Sequence, residues 1–468
     1  MSTNDFLPGV QRVFFLGIGG IGMSALARAC KAKGLEVRGY DAHRSALTAQ
    51  LEQEGMPVCY RDDSALVPPQ FAYPRPETLI VYTPAIPVTS ALRCYFEQQG
   101  HTLHKRAEIL GLLTQGWRTL AVAGSHGKTT TSTMLARVLR ATVGCQAFLG
   151  GLDVETNTNW FNNDKGQHFM VVEADEYDRS FLQLHPYRTI VTTMAPDHLD
   201  YYGSFQNLQE AFIQFCLQNS ERKIVCSEAI QHYLTASGLE LVTYGLSPDA
   251  HYRASNLKYI DGKHHFDLTT YDGLSLHMVL SVPGRHNVEN ALAVLAVCHS
   301  LGIDLEVAAH HLEAFHGVAR RLFKAYQGSR YVYFDDYAHH PDEIRATIDA
   351  LRETFPGREI TGIFQPHLYS RTQALAIDFA HALSKLDCAI LLPIYPARER
   401  PIPGVDSSLI LQHMPQNMRK MLVGEDDLLS TLQGLPLDLL LSMGAGSIGE
   451  HVGSIVNLLK EREASSAS

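Results

Sequence analysis

The chain has 468 residues, of which 45% are hydrophobic and 19% are charged, and its formal net charge is −10. This composition excludes a largely disordered chain, and the acidic balance argues against a nucleic-acid partner, because phosphate binding needs clustered Lys and Arg. No apolar run reaches the ~18 residues of a membrane span, and the N-terminus lacks the pattern of a signal peptide. The eight cysteines have no Cys-x-x-Cys spacing, which is typical of free thiols in a reducing compartment. We therefore expect a cytoplasmic protein without a membrane span, with about three domains.

The first block of the chain alternates short apolar runs with helical segments. Strands are predicted at Val13–Leu16, Val37–Tyr40 and Thr78–Tyr82, and a helix at Met23–Lys33. The turn between the first strand and the helix, residues 17–22, has the sequence G-I-G-G-I-G, which matches the dinucleotide fingerprint. This context predicts a site for the diphosphate of a nucleotide.

The fingerprint leaves the identity of the nucleotide open. Glycines let a pyrophosphate approach the backbone at a helix N-terminus, and an acidic residue about 20 positions later can bind a ribose hydroxyl. NAD, another diphosphate nucleotide and a tight turn without a ligand all fit this pattern. The candidate binding residues are Gly17, Gly19, Gly20, Ile21, Gly22 and Asp41.

A second strand–turn–helix carries a shortened phosphate-binding loop. A strand is predicted at Leu120–Ala123 and a helix at Thr129–Arg140. Backbone N–H groups of such a loop cradle phosphates, the lysine reaches the β- and γ-phosphates, and the following hydroxyl can ligate Mg²⁺. The candidate residues are Gly124, Ser125, His126, Gly127, Lys128, Thr129 and Thr130.

Two further strands of this block, predicted at His168–Val172 and Thr189–Thr193, are followed by acidic residues. Glu173 comes directly after the first strand, and the sequence Asp-His-Leu-Asp at 197–200 follows the second. Clustered carboxylates also suit a solvated loop, and a lone histidine is commonly structural. Downstream of a phosphate-binding loop, however, Glu173 and His198 are placed as magnesium ligands would be.

The third block carries two polar strand ends. Strands are predicted at Tyr331–Phe334, Glu359–Phe364 and Ala389–Leu392, with helices at Arg345–Thr354 and Gln373–Leu386. The sequences D-D-Y-A-H-H-P (335–341) and Q-P-H-L-Y-S-R-T (365–372) follow the first two strands, where ligands of parallel sheets bind. A histidine pair suggests zinc, but further ligands with suitable spacing are missing, so substrate contacts are favoured.

Two other motifs precede this block. Asn287 and Asn290 open an Ala/Leu-rich helix, where Asn287 could cap the helix and Asn290 could read an adenine edge. Arg320 and Arg321 are either a surface pair or a clamp for phosphate. Because strands and helices alternate in all three blocks, we predict an α/β protein of three domains with mainly parallel sheets.

Taken in order, these motifs resemble those of the Mur ligases, the ATP-dependent amide-forming enzymes of peptidoglycan synthesis. The resemblance covers nearly the whole chain and rests on the motifs at 17–24, 124–130, 173–176, 197–200, 284–290, 335–341 and 365–372. It implies a Rossmann-like UDP-sugar domain (1–106), a central ATP- and magnesium-binding domain (107–317) and a Rossmann-like C-terminal domain that binds the amino acid (318–468). The implied substrates are UDP-N-acetylmuramate, L-alanine and ATP.

The resemblance also implies a role for each matching residue. Lys128 would support the β- and γ-phosphates, and Thr129, Glu173 and His198 would hold Mg²⁺. Asn290 would contact adenine, Asp336 the ATP ribose and Arg321 the γ-phosphate. The amino-acid side of the site would be formed by Tyr337, His339, His367 and Arg371.

One position departs from the family pattern. Leu368 stands where the usual Gln-Pro-His-Arg-Tyr-x-Arg motif has its first Arg, which leaves Arg371 as the single carboxylate clamp. A ligase that joins a murein tripeptide to the same nucleotide sugar is the nearest alternative. More distant alternatives are an NAD-dependent oxidoreductase and a P-loop switch protein that binds nucleotide without forming a product. For the oligomeric state, a monomer and a homodimer are both possible.

Overall fold

A computed structural model describes residues 7–162, 165, 168–397 and 399–466, with the side chains of Asp200 and Ser466 left undescribed. The chain forms two compact units. The second unit consists of Tyr259–Lys263, Val282–Arg285 and the chain from Gly317 onward, and the first unit is the rest. The predicted domain boundaries near 106 and 317 stay a prediction.

The described chain alternates strands and helices from end to end. The strands are β1 (Arg12–Leu16), β2 (Glu36–Tyr40), β3 (Val58–Cys59), β4 (Thr78–Tyr82), β5 (Leu103–Lys105), β6 (Arg118–Ala123), β7 (Gln146–Asp153), β8 (Thr158–Phe161), β9 (Phe169–Glu173), β10 (Pro186–Val191), β11 (Lys223–Ser227), β12 (Glu240–Gly245), β13 (Tyr252–Ile260), β14 (Lys263–Thr270), β15 (Ser275–Leu280), β16 (Phe323–Gln327), β17 (Val332–Asp336), β18 (Ile360–Phe364), β19 (Cys388–Leu391), β20 (Arg419–Leu422) and β21 (Leu439–Met443).

The helices lie between these strands. They are α1 (Ile21–Ala32), α2 (Ala46–Gln53), α3 (Ala91–Gln98), α4 (Arg106–Thr114), α5 (Lys128–Ala141), α6 (Leu199–Tyr202), α7 (Phe205–Leu217), α8 (Gln231–Leu234), α9 (Arg285–Ser300), α10 (Leu305–Glu313), α11 (Pro341–Thr354), α12 (Tyr369–Leu383), α13 (Ser408–His413), α14 (Leu428–Gly434) and α15 (Val452–Ser466). Within the described residues, no helix has the length and apolar content needed to cross a membrane.

The strands pair into three sheets. The first has the order β3-β2-β1-β4-β5, the second β15-β14-β13-β12-β11-β10-β6-β9-β7-β8, and the third β16-β17-β21-β18-β19-β20. Pairing is parallel throughout the first sheet, and antiparallel only at sheet margins in the others, as between β14 and β15 or β16 and β17. The predicted α/β class with mainly parallel sheets is confirmed. Parallel strands align their carboxyl ends on one edge, so the loops after β1, β6, β9 and β10 are brought to the sites where ligands bind.

The first and second sheets share one hydrophobic core inside the first unit. Side chains from β1 and α1, such as Val13 and Leu26, belong to the same buried cluster as Ala121 and Val172 of the second sheet. Apolar residues on both faces explain why the parallel strands were visible in the sequence as continuous apolar runs.

A buried polar network also joins α1 to the hairpin β7–β8. Asn159, with 0% exposure, donates from Nδ2 to the carbonyl of Ile21 and to Ser24 Oγ at 2.9 Å. Its Oδ1 accepts from Arg28, and the Arg28 guanidinium also pairs with Glu54 at 2.8 Å. Because Asn159, Ser24 and Arg28 are buried and hydrogen-bonded to one another or to the turn, this network fixes the glycine-rich turn relative to the second sheet.

Three predicted helix starts were wrong by two or more residues. Helix α11 begins at Pro341, after the cap residue His340, rather than at Arg345. Helix α1 begins at Ile21 rather than Met23, so Ile21 and Gly22 lie in its first turn. Helix α12 begins at Tyr369 rather than Gln373, which places Arg371 in a helix and not at a strand end. The starts of α1 and α12 have no side chain that caps the helix, so the sequence carries no capping signal at these two positions.

Candidate active site

Close contacts fix the glycine-rich turn after β1. Gly17 has a φ of +88°, and a Cβ at this position would lie 2.6 Å from the side chain of Thr83, which follows β4. The Gly19 N–H donates to Asp41 Oδ2 at 2.8 Å, and a Cβ on Gly19 would collide with the same carboxylate. Asp41 therefore fastens the turn, and its contact with a ribose stays a prediction.

A cation that sequence analysis missed lies against this turn. The Gly20 N–H donates to the Gly17 carbonyl at 3.2 Å and closes the turn. A Cβ on Gly22, in the first turn of α1, would collide with the guanidinium of Arg106. Lys105 and Arg106 follow the parallel strand β5 at the carboxyl edge, and this basic pair was the signal available in the sequence. Both cations face the acidic segment after β9, with Lys105 Nζ 2.7 Å from Asp178 Oδ2.

The loop between β6 and α5 is shaped by two glycines in the left-handed region. Gly124 has a φ of +136°, and a side chain there would strike Thr192. The N–H groups of Ser125 and His126 donate to Thr193, to its carbonyl at 3.1 Å and its hydroxyl at 2.8 Å. The N–H groups of the first turn of α5 have no intrahelical acceptor and carry the positive end of the helix dipole, as a phosphate site requires.

Lys128, the first residue of α5, is held between the loop and a buried carboxylate. Its Nζ donates to the Gly124 carbonyl at 2.6 Å and to Glu176 at 2.7 Å and 2.9 Å. Burial alone would lower the pKa of Lys128, but the carboxylates of Glu176, Asp175 and Glu173 outweigh it and raise the pKa. Lys128 therefore stays an ammonium ion at neutral pH. Glu176 was missed, because its motif holds several carboxylates and the sequence does not say which faces the lysine.

The predicted magnesium ligands only partly match the cluster in the structure. Among the described residues, Glu176, Asp197 and His198 present ligand atoms within 4.8 Å of one another. Of the predicted set, His198 belongs to this cluster, and Thr129 lies 4% exposed in the first turn of α5.

Glu173 ends β9, the strand beside β6, and its register partner is Val122. The half-buried Glu173 carboxylate accepts from the Gly150 N–H at 3.1 Å. It therefore lies on the strand next to the one that leads into the phosphate-binding loop.

His198 has a strained backbone. Its φ of +53° lies in the left-handed region, which is uncommon for a residue other than glycine. Its N–H donates to Asp197 Oδ1 at 2.8 Å, and its ring packs 5.1 Å from Tyr177. Strain of this kind is often found at functional sites, where the surrounding structure enforces it.

Asn290, on α9, lies beside the phosphate-binding loop as the predicted adenine contact requires. A Cβ on Gly127 would approach Asn290 Oδ1 to 2.9 Å, and Gly127 has a φ of +80°. Asn290 Nδ2 donates to Asn287 Oδ1 at 3.1 Å, which orients the amide. Thr130 is half-buried in the same turn of α5. The loop and Asn290 therefore come together, although the adenine contact itself is untested.

The second unit gathers its own polar cluster at the carboxyl edge of the third sheet. The ring of His339 lies 5.4 Å from Tyr337 and 6.0 Å from His367, and His367 stacks on Tyr395 at 5.8 Å. Burial lowers the pKa of His339, and Arg371 and Arg321 add to this, although Glu343 opposes it. His339 is therefore neutral at physiological pH.

Arg371 stands out in this cluster because part of its guanidinium is unsatisfied. Its Nη1 is buried and has no hydrogen-bond partner among the described residues. Arg371 lies in the first turn of α12, where the helix dipole is positive. Leu368 precedes the helix and has a φ of +72°. Its N–H donates a hydrogen bond to the Tyr395 carbonyl at 3.0 Å, which fixes the start of α12. A buried cationic donor at a helix N-terminus favours a carboxylate ligand.

Asp336 and the arginine pair lie beside this cluster. Asp336 is 7% exposed, and its carboxylate accepts from the Ala338 N–H at 3.0 Å and Thr347 Oγ1 at 2.7 Å. The guanidinium carbons of Arg320 and Arg321 lie 5.1 Å and 5.2 Å from the ring centre of Tyr337.

Sequence analysis missed two members of this region. Tyr395 stacks on His367, and Glu343 accepts from the His339 N–H at 2.9 Å. Tyr395 lies four residues beyond the end of β19, and Glu343 in the first turn of α11. The helix-start position of Glu343, three residues after the cap His340, was the signal in the sequence.

Comparison with known proteins agrees with this arrangement. Residues 12–118 match the Mur ligase family catalytic domain, 122–298 the Mur ligase middle domain, and 320–446 the Mur ligase glutamate ligase domain. The chain is 45% identical to the UDP-N-acetylmuramate–L-alanine ligase of Porphyromonas gingivalis, over 95% of this chain and 98% of that protein. It is 40% identical to the enzyme of the same name from Cytophaga hutchinsonii, over 97% and 98%.

A solved structure extends the likeness to the fold. The UDP-N-acetylmuramate–alanine ligase of Thermotoga maritima is similar with a TM-score of 0.81 and 28% identity, covering 97% of this chain and 99% of that one. Matched domains in the family's order, together with close relatives aligned over nearly their full length, place the chain in the Mur ligase family.

Proposed function

We propose that this chain joins L-alanine to the carboxylate of UDP-N-acetylmuramate and converts ATP to ADP and phosphate. The observation that carries the proposal is the identity of 45% to a ligase of this name over 98% of its length. The Lys128 site in the first unit and the unsatisfied Arg371 in the second supply the chemistry that this reaction needs. We also propose that the reaction takes place in the cytoplasm and is carried out by a monomer or a homodimer.

The reaction forms one bond in each of two steps. A muramyl carboxylate oxygen attacks the γ-phosphorus of ATP, the bond from that phosphorus to the bridging oxygen breaks, and ADP leaves. The resulting acyl phosphate is attacked at its carbonyl carbon by the amine of L-alanine. The tetrahedral intermediate then expels phosphate and, after loss of a proton from nitrogen, leaves the amide. Such chemistry depends on positioning and on stabilising charge.

The phosphate-binding loop would stabilise the charge of the first step. Lys128 is a buried ammonium 2.7 Å from Glu176. When ATP binds, the ammonium would contact oxygens of the β- and γ-phosphates in place of Glu176. We assign Thr129, Glu173 and His198 as the residues that hold Mg²⁺, which would neutralise phosphate charge when bound. The cluster of Glu176, Asp197 and His198 provides donors suited to a divalent cation at this edge. Asn290 would bind the adenine.

The first domain, residues 1–106, would bind the UDP part of the substrate. The turn at Gly17 to Gly22 presents backbone to a diphosphate, and the guanidinium of Arg106 lies against it. Residues 107–317 would bind ATP, and residues 318–468 the amino acid.

In the C-terminal domain, Arg371 would bind the α-carboxylate of L-alanine. Its buried Nη1 has no hydrogen-bond partner in the part of the chain that the structure describes, and the dipole of α12 adds positive potential at the same place. Neutral His339, with Tyr337 and His367, would flank the amine. Arg321 would contact the γ-phosphate and Asp336 the ATP ribose.

Phosphate release from ATP with UDP-N-acetylmuramate tests the proposal. L-alanine should support turnover far better than glycine, L-serine or the tripeptide L-alanyl-γ-D-glutamyl-meso-diaminopimelate. Preference for the tripeptide would identify a recycling ligase instead. In a separate calorimetric titration, the protein should bind UDP-N-acetylmuramate more tightly than NAD, and the reverse order would contradict the assignment of the first domain.

A further inference from the structure

The outer face of the hairpin β14–β15 carries two histidines next to an aspartate. Asp267 lies directly opposite His277 in the antiparallel register, and His265 is two residues away from Asp267 on the same face of β14. The His277 side chain is 60% exposed and that of Asp267 37%. None of the three belongs to the candidate active site.

The two nitrogens of His277 have different surroundings. Its Nδ1 lies 3.0 Å from Asp267 Oδ1, and Asp267 Oδ2 accepts from Asn256 Nδ2 at 2.8 Å. An ionised carboxylate can only accept, so Nδ1 is the nitrogen that donates to Asp267, and Nε2 is left as the nitrogen that can bind a metal ion. A histidine whose second nitrogen donates to a carboxylate is the usual arrangement of metal ligands in proteins.

Nε2 of His277 faces His265. The distance from His277 Nε2 to His265 Nδ1 is 3.5 Å, and the two rings are inclined by 29°. This separation is longer than the ~2.7–3.2 Å of a good hydrogen bond from nitrogen. Two nitrogens bound at ~2.0–2.1 Å to one tetrahedral ion lie about 3.3 Å apart, which is close to the observed value.

We propose that His265 and His277 chelate a divalent transition-metal ion on the outer face of β14–β15. Asp267, itself held by Asn256, fixes the His277 ring and increases the basicity of its Nε2. Imidazole ligands select Zn²⁺, Ni²⁺ or Cu²⁺ over Mg²⁺, so this site differs in chemistry from the one near Lys128. Two protein ligands leave the other coordination positions to water.

Calorimetric titration of the full-length protein with NiCl₂ tests the site. Excess Mg²⁺ is present and ATP is omitted, so the cluster around His198 contributes equally in every variant. The wild-type protein should bind one equivalent of Ni²⁺ more than the His265→Asn/His277→Asn variant. Asp267→Asn should keep the site but weaken it roughly 10- to 100-fold, since it removes the orienting carboxylate.

A matched control uses another pair of neighbouring histidines. His310 and His311 on α10 have ring centres 5.5 Å apart, and the His310→Asn/His311→Asn variant should retain the extra equivalent. The single variants His265→Asn and His277→Asn serve if the double variant does not fold. Unchanged Ni²⁺ stoichiometry in the histidine variants, or an unchanged affinity in Asp267→Asn, would overturn the proposal.

Discussion

Replacement of Asp336 by Asn should make the protein more stable at neutral pH while impairing its function. The Asp336 carboxylate is 7% exposed at the end of β17. Burial raises its pKa from 3.8 to about 6, and the hydrogen bond from Thr347 and the charge of Arg321 only partly oppose this. At pH 7.5 the folded protein therefore keeps an ionised carboxylate where ionisation is unfavourable.

The size of the effect follows from this pKa. A rise from 3.8 to about 6 corresponds to about 3 kcal/mol of stability, which is fully present below pH 3.8 and lost as the pH rises through 6. Between pH 5 and pH 7.5 the wild type should lose about 1.4 kcal/mol of this contribution. Asn has nearly the same shape, can donate to Thr347 Oγ1 and does not titrate, so Asp336→Asn should lose none of it.

Thermal unfolding at pH 5 and pH 7.5 measures this difference. Relative to the wild type, the Tm of Asp336→Asn should be higher at pH 7.5 than at pH 5 by roughly 3–6 °C, if the second unit unfolds separately. Asp378→Asn, at an exposed position on α12 of the same unit, is the matched control and should show no such change. Parallel Tm curves for Asp336→Asn and the wild type would refute the burial argument.

The same variant tests the proposed function of the carboxylate. If Asp336 binds the ATP ribose, Asp336→Asn should raise the KM for ATP while the Tm at pH 7.5 rises. A residue that lowers stability and is nevertheless needed for activity is typical of a functional site. An unchanged KM for ATP would remove Asp336 from the binding site.

Three further predictions concern the two clusters. Lys128→Ala should lower phosphate release at least ~100-fold. The double variant Lys128→Ala/Glu176→Gln leaves no uncompensated buried carboxylate, so it should fold and be equally inactive. Near-normal turnover in either variant would exclude the assigned role of Lys128. Glu173→Gln should raise the Mg²⁺ concentration for half-maximal rate more than Glu176→Gln does, and His198→Asn, which changes a residue common to both candidate ligand sets, should raise it as well. A larger effect of Glu176→Gln than of Glu173→Gln would assign the metal to the Glu176, Asp197 and His198 set. Arg371→Ala should raise the KM for L-alanine about 10- to 150-fold, equivalent to about 1.5–3 kcal/mol, without a comparable change for ATP; a normal KM for L-alanine would make Arg371 structural.

The sequence predicted the parallel strands well because they are buried on both faces. Strand β18 is buried at every residue, and β1, β4, β6 and β9 are buried except at one or both ends. Each therefore appears in the sequence as a short apolar run bounded by polar or glycine positions. Residues that we propose to bind ligands follow these runs, and their motifs could therefore be recognised in the sequence as well.

Contacts between distant segments were not visible. Glu176 faces Lys128 because the chain after it turns sharply, with Asp178 and Arg179 both at positive φ, and no local signal predicts left-handed residues of these types. Arg106 follows β5 and Gly22 lies in the helix after β1, so the two residues are far apart in sequence. They come together because β1 and β5 are separated by β4 alone in the sheet order β3-β2-β1-β4-β5. Sequence spacing alone does not supply this order.

Residues with an unfavourable backbone conformation or a buried charge are found near the proposed catalytic and binding residues. Leu368 and His198 adopt positive φ without being glycine, and Asp336 and Glu176 are carboxylates with 7% and 1% exposure. Each of these features lowers stability by itself, by about 1–3 kcal/mol for a strained backbone. Their concentration at strand ends, rather than in the regular core of β1 or β18, indicates that the fold tolerates them for positioning. Buried charge and backbone strain at these sites therefore support the proposed residues independently of the sequence motifs.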